Sequence, residues 1–185
     1  MSFIITTLMI FNTFAFAMAF IFLFRNKVRF KSTELLILKV LGILNTFLVL
    51  YLAITINEWS EFQGSVTVIL LFLSSLIFFA AYKETKAQPF DLAFSTEKPH
   101  RLLTSGIYSI IRHPFYTSYT LTWLAACLIS INLAMCFLTT ALIILYYRAA
   151  NFEESNFLHS HIGPEYKAYQ QRTGMFFPKI IRNNK

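Results

Sequence analysis

Between Gly106 and Tyr116 the sequence gathers residues that could do chemistry at the mouth of an apolar run: Gly-Ile-Tyr-Ser-Ile-Ile-Arg-His-Pro-Phe-Tyr. Pro114 suits the first turn of a helix, where its missing N–H costs nothing. His113 then falls near the N-cap, beside backbone donors that attract an anion such as a carboxylate. Arg112 offers a planar fork to the same anion. Tyr108 and Tyr116 add hydroxyls and flat apolar faces. A small zwitterionic ligand with a carboxylate and an aromatic part would suit this mouth. The plainer alternatives are an arginine that only flanks a span and a histidine that only caps a helix.

A second polar group, Glu153 and Glu154, follows the exit of the last apolar stretch. Adjacent helical residues point about 100° apart, so one of the two is expected to face a given site. It would accept hydrogen bonds from ligand hydroxyls or an amino group; the alternative is an acid favoured by a helix N-terminus or by solvent. His159 and His161 are two apart, a poor helical spacing for a shared metal, and no metal site is expected. Cys127 and Cys136 lie inside apolar segments without a C-x-x-C pattern and read as small buried hydrophobes. No G-x-G occurs, which excludes a dinucleotide fingerprint and a phosphate loop.

The elements that position these residues read as membrane helices. The chain has 185 residues, enough for one domain, with 56% apolar and 14% charged residues and a mean hydropathy of +0.57. Soluble domains sit near 45–50% apolar and about 25% charged. Apolar blocks, uncharged except for Lys39, which can snorkel to the headgroups, predict spans over about Ser2–Phe24, Leu35–Ile56, Ser65–Tyr82, Pro114–Ile131 and Leu133–Tyr147. The last two are short and predict a tight helical hairpin turning at Asn132. The first block lacks a basic n-region and exceeds an h-region of about 7–15 residues, so a retained helix is expected. The segment 57–64, with Trp59, reads as a loop, as does Ala87–Arg112. A polar tail from Arg148, broken at Gly163-Pro164, carries Tyr166 and Tyr169 on one helical face.

All sixteen Lys and Arg fall within 25–39, 83–112 and 148–185. Five spans place these three regions on one side, which the positive-inside rule makes the cytoplasm, the inner side of the inner membrane in a bacterium. The N-terminus is then outside, and the C-terminus and the polar mouth are cytoplasmic. The net charge of +7 is explained this way without a nucleic-acid partner. The expected architecture is an all-α integral membrane protein of about five transmembrane helices with a cytoplasmic helical tail. It forms one domain, 1–185: a three-helix scaffold over 1–86 and a catalytic core over 87–185.

Gly106-x-Tyr108-x-x-x-Arg112-His113-Pro114-x-Tyr116, then Glu153-Glu154-x-x-Phe157-Leu158, then His161-Ile-Gly163-Pro-Glu165-Tyr166-x-x-Tyr169 and Phe177-Pro178, resembles the isoprenylcysteine carboxyl methyltransferase family, which is grouped with the phospholipid methyltransferases. The resemblance covers about residues 85–180. It implies a membrane enzyme that uses S-adenosyl-L-methionine without a Rossmann fold. Tyr108, His113, Pro114, Tyr116, Glu154 and Tyr166 would hold the cofactor. Arg112, Arg148, Glu153 and Arg172 would serve the acceptor or close the pocket. The implied acceptor is a lipophilic or prenylated small molecule, or a membrane lipid. Ser118, Pro164 and the stretch Gly174-Met-Phe-Phe177 depart from the family's pattern, mostly on the acceptor side. Relatives in the same group would methylate phospholipid amines or small thiols, or reduce sterols. An amine acceptor would need a base, for which Glu153, Glu154 and His113 are available. The non-enzymatic alternative is a small membrane subunit.

Overall fold

The computed structural model describes residues 2–22, 33–55, 60–86 and 101–179. Six α-helices run through them: α1 (Ser2–Phe22), α2 (Thr33–Thr55), α3 (Glu61–Thr85), α4 (Pro114–Ser130), α5 (Leu133–Leu158) and α6 (Gly163–Arg172), with one 3-10 turn at Gly106–Ser109. The basic stretch 25–31, Trp59, and residues 87–100 lie outside the described part. The expected all-α membrane architecture holds. Helices α2, α3 and α5 are long and apolar enough to cross a membrane, and the apolar part of α1 is shorter. At 17 residues, α4 reaches about 25 Å, slightly less than a hydrocarbon core.

Three boundaries differ from the expectation. Helix α3 starts at Glu61, inside the expected loop, because Ser60 and Gln63 form a reciprocal capping box. Helix α5 does not stop at Tyr147 but continues eleven residues to Leu158. Nothing in Arg148–Leu158 breaks a helix; only its polarity changes. Gly163 and Pro164 open α6 instead of merely interrupting the tail. In the α4–α5 turn, Ile131 takes a left-handed conformation, φ 41°, and the Asn132 side chain accepts from the amides of Ala134 and Met135.

Small residues explain the packing order. Helix α3 lies most closely on α4, where the buried Ser74 meets the buried Ser118 and Thr122. Between helices in lipid, small side chains let backbones approach and hydroxyls bond across. Ser74 Oγ donates to the Ser118 carbonyl at 2.7 Å and meets Thr122 Oγ1 at 2.8 Å. Asn12 Nδ2 donates to the Leu71 carbonyl at 3.1 Å, and Ser75 Oγ donates to Asn12 Oδ1 at 2.7 Å, tying α1 to α3. Helix α2 packs on α5 and α1. Large apolar side chains such as Phe14, Phe47, Phe72 and Phe137 point outward, as lipid-facing residues do.

Candidate active site

The start of α4, the polar end of α5, and α6 with its following segment meet at one end of the bundle. Residues 106–109 form a 3-10 turn that begins at Gly106, φ 55°, a conformation glycine adopts without strain. A Cβ there would overlap the Glu84 carboxylate, which also accepts from Ser105 Oγ at 2.6 Å. The chain then turns into α4 at Pro114. The segment after α6 runs beside this entry. The amide of Arg112 donates to the Gly174 carbonyl at 2.9 Å, and that of His113 donates to the Met175 carbonyl at 3.1 Å.

Five of the expected residues come together here. The Nε of Arg112 donates to Glu154 Oε1 at 2.8 Å and its Nη2 donates to Glu154 Oε2 at 3.3 Å. Its Nη1 donates to the Thr173 carbonyl and, at 3.5 Å, to that of Gln170. Arg112 therefore also closes the C-terminal end of α6. His113 Nε2 lies 3.1 Å from Glu154 Oε1, and its Nδ1 lies 3.6 Å from Glu153 Oε2. Tyr116 donates its hydroxyl to Glu153 Oε1 at 2.5 Å and stacks on the His113 ring, centroids 5.7 Å apart.

The two glutamates were expected to face different ways, with one at the site. Both reach it. The imidazole carries nitrogens on two edges, and these bridge the angle between adjacent helical side chains. The His113 side chain makes no capping hydrogen bond, and its amide is taken by the Met175 carbonyl, so this donor is not offered to an anion.

The electrostatics follow from the geometry. Burial by itself would lower the His113 pKa, but the hydrogen bonds and charges of Glu153 and Glu154 outweigh it and raise the value above 6.5. Imidazolium is also the form that lets both nitrogens donate. Burial would raise Glu154, yet the hydrogen bonds and charges of His113 and Arg112 hold it down at about 2. Gln170 Nε2 donates to Glu154 Oε2 at 2.5 Å as well, so both oxygens of Glu154 are engaged. Glu153 is more open, with 28% of its side chain exposed.

The remaining expected residues sit further out. Tyr108 is buried; its hydroxyl meets Thr85 Oγ1 at 3.2 Å and its carbonyl accepts from the Tyr169 hydroxyl at 2.5 Å. Tyr166 is buried on α6 and stacks on Phe157 at 4.6 Å. Arg172 ends α6, exposed. Arg148 pairs with Glu34 of α2 on an exposed surface, apart from the cluster. Sequence reasoning missed Gln170, the carbonyls of Thr173 and Met175, and Glu84. Backbone carbonyls leave no trace in side-chain patterns, and Gln170 stands 16 residues from its partner without a motif. Among the described residues, no group of three or more His, Cys, Asp or Glu is disposed to hold a metal ion.

The helical membrane bundle thus carries a largely enclosed Arg–Glu–His–Glu–Tyr chain at one end. The chain belongs to the phospholipid methyltransferase family, whose model matches residues 59–165. That match takes in α3, the cluster and the first turn of α6. Over 89 residues the chain is 36% identical to the cobalt-zinc-cadmium resistance protein CzcN of Cupriavidus metallidurans, covering 48% of this chain and 41% of that protein. The chain thus matches less than half the length of that curated relative.

Proposed function

We propose that the chain transfers a methyl group from S-adenosyl-L-methionine to a lipophilic acceptor, and that the His113 cluster is the cofactor end of the site. The observation that carries this reading is the junction itself, where three polar segments converge on His113 beside an apolar bundle. When bound, the cofactor supplies a methyl group on a cationic sulfonium. The residues present fit such a ligand: Glu153 is partly open, and Glu84 is half-buried with Ser105 as a donor. On this reading Tyr108, Tyr116 and Tyr166 would supply aromatic surfaces to the cofactor, and Pro114 opens α4 directly after His113. Arg112 and Glu154 hold α4, α5 and α6 in register. A cytosolic mouth, the orientation that the basic regions favour, would admit a soluble cofactor while the acceptor arrives through the bilayer.

The acceptor reading follows from which groups remain available. His113 and Glu154 are committed to ion pairs, so an acceptor that is already anionic suits the site. Carboxyl O-methylation of an isoprenylcysteine-like acid is the first reading. The acceptor carboxylate would approach the exposed Arg172, and positioning and desolvation would supply most of the rate. N-methylation of a phospholipid amine is the second, favoured by the family match and by Glu153, whose open carboxylate could take the amine's proton. Arg148, paired with Glu34, is not assigned a role in either.

The test uses purified protein in lipid nanodiscs with methyl-labelled S-adenosylmethionine, a bacterial lipid extract and a prenylcysteine analogue. Label released as methanol by mild base marks a carboxyl ester; base-stable label in lipid marks N-methylation. No incorporation into either would contradict the proposal.

A further inference from the structure

We propose that the segment after α6, Met175–Pro178, is a membrane-interface anchor in which Phe177 enters the boundary between lipid headgroups and acyl chains beside the site. The inference concerns how the protein sits in the bilayer and stands apart from the methyl-transfer reading.

The backbone sets the direction. Successive carbonyls from Gly174 onward are met by partners progressively further along the chain into α4: Gly174 by the Arg112 amide at 2.9 Å, Met175 by the His113 amide at 3.1 Å, and Phe176 by Thr117 Oγ1 at 3.0 Å. The segment therefore descends along the first turn of α4, toward the apolar part of the bundle. On its other side the Phe176 ring meets Tyr147 of α5, centroids 6.4 Å apart.

Tyr147 ends an exposed stripe of α5. Leu133, Phe137, Ile144 and Tyr147 recur at helical spacing on one face, and all are more than half exposed. This is the lipid-facing surface of a span. Phe177, 74% exposed, directly follows Phe176, whose ring meets Tyr147 at the end of that stripe. Its position is built: a Cβ on Gly174 would overlap the Phe177 carbonyl, so the chain folds tightly back on itself there. Tyr147 is a residue type enriched at membrane–water interfaces, and the neighbouring Phe177 ring offers apolar surface to the acyl chains beside it. The exposed Lys179 follows two residues later, close enough to meet anionic lipid headgroups. Bilayer lipid is therefore the occupant that the stripe, the aromatic ring and the lysine fit together.

The test places a spin label at Phe177→Cys in the full chain carrying Cys127→Ala and Cys136→Ala, reconstituted in nanodiscs, with Lys167→Cys on α6 as the water-exposed control. Relaxation at position 177 is expected to respond more to oxygen than to a water-soluble nickel chelate, and the reverse is expected at 167. Nickel access at 177 equal to that at 167 would overturn the proposal. A second variant, Phe177→Trp in the otherwise native chain, avoids both the label and the cysteine changes. Its added fluorescence should be quenched by lipids brominated on the acyl chains; no additional quenching relative to the native protein would likewise overturn it.

Discussion

His113 is the residue on which the site turns. Its two nitrogens join Glu153 and Glu154, its ring stacks on Tyr116, and its amide holds the segment after α6. Removing one partner of a buried pair leaves the other uncompensated, at a cost of about 3–5 kcal/mol. Glu154→Ala is therefore expected to lower stability by up to about that much in detergent melts, because it removes the carboxylate shared by the part-buried Arg112 and the buried His113. Arg148→Ala should change stability by no more than about 1 kcal/mol, since its pair with Glu34 is exposed. The pH dependence follows from the shifts. Glu154, lowered from 4.5 to about 2, stabilises fully above its ordinary value and loses this contribution as the pH falls toward 2. His113, raised from 6.5, stabilises fully below that value and loses this contribution as the pH rises through its raised pKa. Melting temperature against pH should show a plateau between these limits, with the alkaline fall removed in His113→Phe. At this scale the Arg-His-Pro and Glu-Glu motifs were legible because residue type and spacing carry them. The engagement of Arg112 was not, because two of its acceptors are backbone carbonyls.

The elements matter through their ends. Helix α5 delivers Glu153 and Glu154 because it runs on past the apolar stretch, and Ser60 with Gln63 starts α3 a turn early. Apolar blocks located these helices; their ends were misjudged where a helix outlasts its hydrophobic face or where a cap sits in a polar stretch. Ser60→Ala should lose about 1 kcal/mol by removing the capping box. Gly106→Ala should lose about 1–3 kcal/mol, from the left-handed backbone and the crowding against Glu84. Urea titration of the detergent-solubilised variants checks both.

At the scale of the whole molecule, the site is an end-of-bundle arrangement. Small residues bring α3 and α4 together, a tight turn returns α5, and α6 closes over the junction. Among the described residues, the five apolar helices α1–α5 and the α4–α5 hairpin were legible from hydropathy, and the polar α6 was not. The closure by α6 was foreshadowed only by the tail's polarity, since its contacts are long-range. The orientation drawn from the basic regions predicts that Leu133→Cys, at the hairpin turn, is labelled by an impermeant maleimide added to intact cells. Lys167→Cys should react only after permeabilisation. The most direct measurement is calorimetric titration of the native chain in nanodiscs with S-adenosylhomocysteine. Saturable binding is expected, abolished in His113→Ala and retained in Arg148→Ala. Absence of saturable binding, or binding unchanged in His113→Ala, would contradict the placement of the cofactor at this cluster.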